Sequence, residues 1–188
     1  MGCNRVLQVS STSVNGAELY RLRFAGRQMV KVLVSYYSRS GNTRAIARAI
    51  ASGAKEVRGA KVRLRSTRAT TLRDLKWADA IVLGSPTYYG DMAADLKRLL
   101  DRSVAIHGSL RGKVGAAFTS SGGVASGAET TLLSIVQAML VHGMVISGNA
   151  DGQHYGVGIV GAPNARQFRL CRKRGKQVAE LAMKLIAV

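Results

Sequence analysis

Residues 35–50 read SYYSRSGNTRAIARAI. A β-branched and aromatic run, KVLVSYY (31–37), gives way here to an alanine-rich pattern in which Ala45, Ile46, Ala49 and Ile50 recur at helical spacing. Between the two stand Ser38, Arg39, Ser40, Gly41, Asn42 and Thr43, rich in hydrogen-bonding groups and poor in bulk. A strand that turns into a helix through such residues presents unpaired N–H groups and the positive end of the helix dipole, an arrangement that favours an anion. Hydroxyl and amide side chains add donors, and Gly41 allows close approach of the backbone. The ligand group implied is a phosphate. The loop is not a nucleoside-triphosphate P-loop, because GxxxxGK[ST] is absent and no lysine precedes Thr43. Taken alone, the same residues also fit an ordinary capped helix start.

Working outward, the pattern alternates. Residues 42–54 form a helix, KVRLRS (61–66) an edge strand with one wet face, and AIVLGS (80–85) a short apolar strand. DMAADLKRLLDR (91–102) reads as a helix, KVGAAFTS (113–120) as a buried strand and 127–142 as a helix. MVISG (144–148) is a strand and 164–187 a final helix. Strict alternation predicts an α/β fold with a parallel sheet and helices on both faces. In such a sheet, ligands bind beyond the carboxyl ends of the strands. Three strand ends carry similar text, SRSGNT, SPTYYGD and TSSGGVASG, and all would converge on one crevice. SGAE (126–129) reads as a capping box, so Ser126 is expected to start a helix. Gly156-Val157-Gly158-Ile159-Val160-Gly161 fits GxGxxG, but it follows a polar loop and runs into Ala162-Pro163; it is read as a chance match or a flexible loop.

Composition narrows the class. A chain of 188 residues with 47% apolar content suits one globular domain. No apolar run reaches the ~20 residues of a membrane span, and no secretory signal opens the chain, so a cytoplasmic location is expected. Cys3 and Cys171 show no metal or redox spacing and are read as free thiols. Residues 1–28 hold Arg5, Arg21, Arg23 and Arg27 without sustained periodicity. They are read as an extension to a domain spanning 29–188: an over-extended start or disordered tail, an organelle transit segment, or an extra edge strand. A formal charge of +18 asks for an acidic partner. The tightest cluster, Arg169, Arg172, Lys173, Arg174 and Lys176, lies in the last helix and is read as its solvated face rather than a nucleic-acid site, since no recognition motif accompanies it.

The ordered set SYYSRSGNT, GSPTYYGDM, AAFTSSGGVASGAETT and VHGM resembles the flavodoxin-like flavoproteins, and among them the WrbA-type NAD(P)H:quinone oxidoreductases. The resemblance covers residues 30–188. It implies a flavodoxin-like three-layer sandwich, a five-stranded parallel sheet of order 2-1-3-4-5, and one noncovalent FMN, with NADH or NADPH as co-substrate. Position by position, Ser38, Arg39, Ser40, Gly41, Asn42 and Thr43 would hold the FMN phosphate. Pro86, Thr87, Tyr88, Tyr89 and Gly90 would lie along the isoalloxazine, and Ser120, Ser121, Gly122, Gly123, Val124 and Ala125 would wrap its pyrimidine side. His142, in VHGM, matches a flavin-contacting histidine and is the catalytic candidate; on the residues alone it reads equally as a satisfied polar group at a helix end.

The resemblance implies two-electron reduction of a quinone or another small acceptor, in a homo-oligomer (dimer or tetramer). The alternative is a one-electron carrier of the flavodoxin kind that docks a redox protein. Two segments depart from the WrbA pattern, 102–113 and the stretch between the fifth strand and the last helix, both abbreviated. His107 and His154 lie in loops without metal-ligand spacing, and Trp77 reads as a packing residue.

Overall fold

The computed structural model describes residues 29–187. Four parallel strands form the body of the sheet: β1 (Val30–Tyr36), β2 (Ala60–Ser66), β3 (Ala80–Tyr88) and β5 (Val114–Ser121). A two-residue strand, β4 (Asp91–Met92), folds back antiparallel on the end of β3. The far edge of β5 is covered twice. Its start pairs with β6 (Val145–Ile146), and its end pairs with β7 (Val157–Val160), both parallel. The path β2-β1-β3-β5 followed by the β6/β7 edge is the expected order 2-1-3-4-5 with its fifth position interrupted.

Helices cover both faces. α1 (Asn42–Lys55) and α5 (Ala165–Leu185) lie on one side, over Val30, Val32, Val34, Val82, Ala116 and Phe118. α2 (Leu72–Trp77), α3 (Ala94–Arg102) and α4 (Ala128–Val141) lie on the other, over Leu33, Ile81, Leu83 and Ala117. The alternation Val32, Leu33, Val34 along β1 sends successive side chains to the two cores, which is why the strand is apolar throughout. α1 and α5 meet backbone to backbone: a Cβ on Gly53 would sit 1.9 Å from the Arg172 carbonyl oxygen, and one on Gly175 1.9 Å from that of Ile50.

Four readings need correction. Asp91 and Met92 are strand, not the first turn of a helix, because they close a tight return against Thr87 and Tyr88. The GxGxxG stretch is the strand β7 rather than a flexible loop: Val157 and Ile159 turn into the core, and Gly156, at φ 142, leaves no room for a Cβ, which would meet the Ala117 carbonyl oxygen at 2.3 Å. Ser126 does not cap α4. Gly127 occupies that position in left-handed conformation, and Ser126 Oγ donates to the Gly123 carbonyl at 2.7 Å. Finally, Arg174 leaves the solvated cluster. It is 7% exposed and donates through Nη2 to the Ser147 carbonyl, at the break between β6 and β7.

The other side-chain expectations on the edge agree with the structure. β2 is the wet edge strand, its Arg63 and Arg65 paired to Asp74 at 2.9 and 3.3 Å, and the Arg63 guanidinium lies 3.8 Å from the centre of the half-buried Trp77 ring. Cys171 is a free thiol in the core under α5, where burial raises its pKa to about 11. Cys3, with all of residues 1–28, lies outside the described residues. Among the described residues no helix is long and apolar enough to cross a membrane.

Candidate functional site

β1 delivers the chain to the carboxyl end of the sheet, where Gly41 turns it at φ 102 into α1. The Ser38 hydroxyl accepts from the Gly41 N–H at 3.1 Å and shapes the turn. No side chain caps α1 and no acid stands in its first turn. The N–H groups of Asn42, Thr43 and Arg44 precede the first intrahelical donor, the Ala45 N–H bonded to the Gly41 carbonyl, so they are left without a helical partner at the positive end of the dipole. Arg39 and Ser40 are exposed beside them. This is the geometry of an anion cradle, without the acidic residue that a self-sufficient helix start would carry.

The end of β3 forms the second wall. Ser85 Oγ donates to the Pro86 carbonyl and accepts from the Ala93 N–H, each at 2.7 Å, which fixes the turn across its base. Beyond Pro86, Tyr89 adopts φ 50, a conformation that non-glycine residues seldom hold, and Gly90 follows at φ 78. Tyr89 is thrown fully into solvent, at 110% of its reference exposure. Tyr88 packs edge-on against Tyr37, ring centres 6.4 Å apart.

The end of β5 forms the third. Ser120 and Ser121 are buried, while a Cβ added to Gly122 or Gly123 would meet nothing within 4 Å. The backbone there is bare and open to a flat ligand. Ala125 sits at φ 52, and Val124 is 87% exposed. Behind this loop, Val124, Ala125, Glu129, Gln153 and Tyr155 line a cleft of ≈ 290 Å³.

Side-chain bonds tie the three walls together. Thr43 Oγ1 and Ser120 Oγ lie 2.7 Å apart, joining the first to the third. Thr119 Oγ1 donates to the Ser85 carbonyl at 2.8 Å and takes a bond from Thr87 Oγ1 at 3.0 Å, joining the third to the second. Thr130 Oγ1 donates to the Gly90 carbonyl at 2.6 Å. A Cβ on Gly127 would stand 2.5 Å from the Gly90 Cα, so at that point the last two loops meet glycine to glycine. Of these ties, Ser85, Thr119, Gly127 and Thr130 escape a reading of the sequence. Gly127 was masked by the capping-box text, and a threonine inside a helix gives no signal of a partner forty residues away.

The three sequence-assigned loops are therefore tied together at the carboxyl end of the sheet. His142 does not. α4 runs from the crevice back to the opposite end of the sheet, and two residues past His142 and Gly143 the chain pairs Val145 with Val114, the first residue of β5. Six residues of strand separate that point from Ser120, ~20 Å at the usual rise. Within one chain, His142 cannot touch a group held at the crevice. It is instead buried against Leu99, Leu110 and Met144, its Nε2 2.7 Å from Ser103 Oγ, with His107 6.1 Å away ring to ring. Burial first, then the neighbouring His107, hold its pKa below the ordinary value.

The crevice fits a phosphate ester carrying a flat ring: orphan N–H donors at one end, bare glycine backbone and outward tyrosines at the other. Fold and site together define a flavodoxin-like α/β flavoprotein. The comparisons agree. The family described as NADPH-dependent FMN reductase matches residues 65–153. A protein named flavodoxin from Aquifex aeolicus is 36% identical over 81% of this chain and 86% of its own. An NAD(P)H dehydrogenase (quinone) from Geotalea daltonii is 35% identical over 84% of this chain and 98% of its own. Among solved structures, a flavodoxin, WrbA-like protein from Agrobacterium tumefaciens superposes with a TM-score of 0.73 at 25% identity, covering 82% of this chain and 98% of that one. The chain belongs to the flavodoxin-like flavoproteins of the WrbA type, a family of FMN-dependent oxidoreductases that draw electrons from NAD(P)H.

Proposed function

We propose that this protein is an FMN-binding NAD(P)H:quinone oxidoreductase. The observation that carries the reading is the joined three-wall crevice: an uncapped helix N-terminus fixed by Thr43 and Ser120 to a bare glycine loop, with strained, outward tyrosine facing it. In it, the N–H groups of Asn42, Thr43 and Arg44 and the side chains of Ser38, Ser40 and Asn42 would hold the phosphate. Pro86–Gly90 would lie against one side of the flavin, and Ser120–Ala125 would run along its pyrimidine edge. When bound, FMN supplies reversible hydride acceptance, which links a two-electron donor to a two-electron acceptor.

The chain's own contribution is to bind, orient and tune. Backbone N–H groups of the Gly122–Ala125 segment would stabilise the negative charge that a bound flavin takes on when reduced, as an oxyanion hole does. Thr87 and Thr119, bonded to one another and to the Ser85 carbonyl, hold the two ring-side loops at fixed spacing. Tyr89 and Val124 are exposed, so they would leave the face of a bound ring accessible to a flat donor or acceptor. The basic surface suits a phosphate-bearing nicotinamide donor.

The similarity to the Aquifex protein named flavodoxin supports a second reading, a one-electron carrier. One titration tests the shared foundation: FMN added to apoprotein should lose its fluorescence with a sharp end point at one FMN per chain. Fluorescence that does not change would refute both readings. Steady-state turnover of NADH or NADPH with benzoquinone, giving parallel lines in double-reciprocal plots, separates the enzyme from the carrier.

A further inference from the structure

α1 and α5 pack side by side over one face of the sheet, and their outward stripes are nearly all cationic. On α1 the exposed positions are Arg44, Arg48, Ser52 and Lys55, at helical spacing. On α5 the exposed stripe is Arg166, Arg169, Lys173, Lys176 and Lys184, interrupted by Glu180. Among the described residues none of these cations forms an ion pair. Among the described residues the ion pairs belong to Arg63, Arg65, Arg68, Lys97 and Arg98, on β2, the turn that follows it, and α3. The positive charge is thus neutralised in part by ion pairs around α2 and α3, whereas on the α1/α5 face only Glu180 and, at the end of α1, Glu56 offset it.

We infer that the α1/α5 face docks the protein onto an anionic lipid surface. The shape decides the kind of polyanion. The close helix crossing through Gly53 and Gly175 makes one broad, even face, ~30 Å long for the 21 residues of α5. A DNA major groove ~12 Å wide admits a single helix, not two packed side by side. The face also carries no exposed aromatic side chain on which an unpaired base would stack. A plane of phosphate headgroups, in contrast, meets both stripes at once. Exposed large apolar residues are absent from the face except Leu185 at its end, so the contact is electrostatic, shallow and reversible rather than inserted. Both helices begin at the crevice end of the sheet, which places the flavin site at the rim of the docked face. On the quinone reading proposed above, that position serves acceptors dissolved in the bilayer.

The experiment is co-sedimentation of the full-length holoprotein with phosphatidylcholine vesicles, with and without phosphatidylglycerol, at low and physiological salt. The wild type should bind only the phosphatidylglycerol vesicles and release with salt. Arg169→Glu/Lys173→Glu/Lys176→Glu should weaken binding at least ~100-fold. A control on the other face, Arg73→Glu/Lys76→Glu/Arg102→Glu, changes net charge equally and should weaken it far less. Both triple variants should keep wild-type FMN content and turnover with water-soluble benzoquinone, so failure of the docking idea stays distinct from failure of the enzyme reading. Equal losses in the two variants, or no binding to anionic vesicles, would overturn the proposal. Displacement from the vesicles by duplex DNA at matched phosphate concentration would also overturn it, in favour of a nucleic-acid surface.

Discussion

Thr43 Oγ1 and Ser120 Oγ lie 2.7 Å apart in the interior, although 77 residues separate them in the chain. One hydroxyl stands in the first turn of α1 and the other at the end of β5, so this bond ties the N-terminus of α1 to the glycine loop. Thr43→Val keeps the shape and deletes the partner, leaving the Ser120 hydroxyl buried and unpaired at a cost of about 2 kcal/mol. Thermal melting should show that loss, and FMN titration should show weaker binding beyond it, because the two walls are no longer held in register. Thr43→Ser, which retains the hydroxyl, should recover most of the FMN affinity.

Ser40 is exposed on the lip of the cradle. Replacing it with aspartate therefore leaves the fold untouched but sets a carboxylate against a phosphate dianion. Ser40→Asp should retain the melting temperature of the wild-type apoprotein while FMN affinity falls at least ~100-fold, read by fluorescence quenching.

Gly175 lies where α5 presses on α1, and a Cβ there would enter the Ile50 carbonyl oxygen. Backbone cannot yield as a flexible side chain does, so the helices must separate. Gly175→Ala should cost about 3 kcal/mol, a fall in melting temperature of roughly 6–12 °C. The better helix propensity of alanine, worth roughly 1 kcal/mol, does not compensate.

His142 should leave a mark on the pH dependence of stability. Its pKa is lowered in the folded state, so between that value and the unfolded value near ~6.5 the unfolded chain binds a proton that the native chain does not. Stability is then fully present above ~pH 6.5 and declines as the pH falls below it. Replacing the imidazole by glutamine, which can still bond Ser103, should flatten melting temperature against pH across that window. An unchanged slope would assign it to other groups.

The sequence announces the alternation of strands and helices, both cores and the three ligand loops, because these depend on local pattern: β-branched runs, helical spacing, and small polar residues at strand ends. What it hides depends on distance. Val157–Val160 looks like a loop because it holds Gly158 and is flanked by Gly156 and Gly161, and only the neighbouring edge of β5 makes it a strand. Arg174 looks like one more surface cation until the break after Ile146 offers it a carbonyl. His142 matches a functional motif in text, yet the direction of α4 carries it to the other end of the sheet. A flavin contact by this residue would require a second copy of the chain.

The most direct test of the account is anaerobic mixing of the holoprotein with NADH or NADPH, followed by benzoquinone. A nicotinamide should bleach the flavin's visible absorbance, and one equivalent of benzoquinone should restore it in a single two-electron step. A holoprotein that stays oxidised with both nicotinamides, yet exchanges single electrons with a small redox protein, would contradict it and make the chain a carrier.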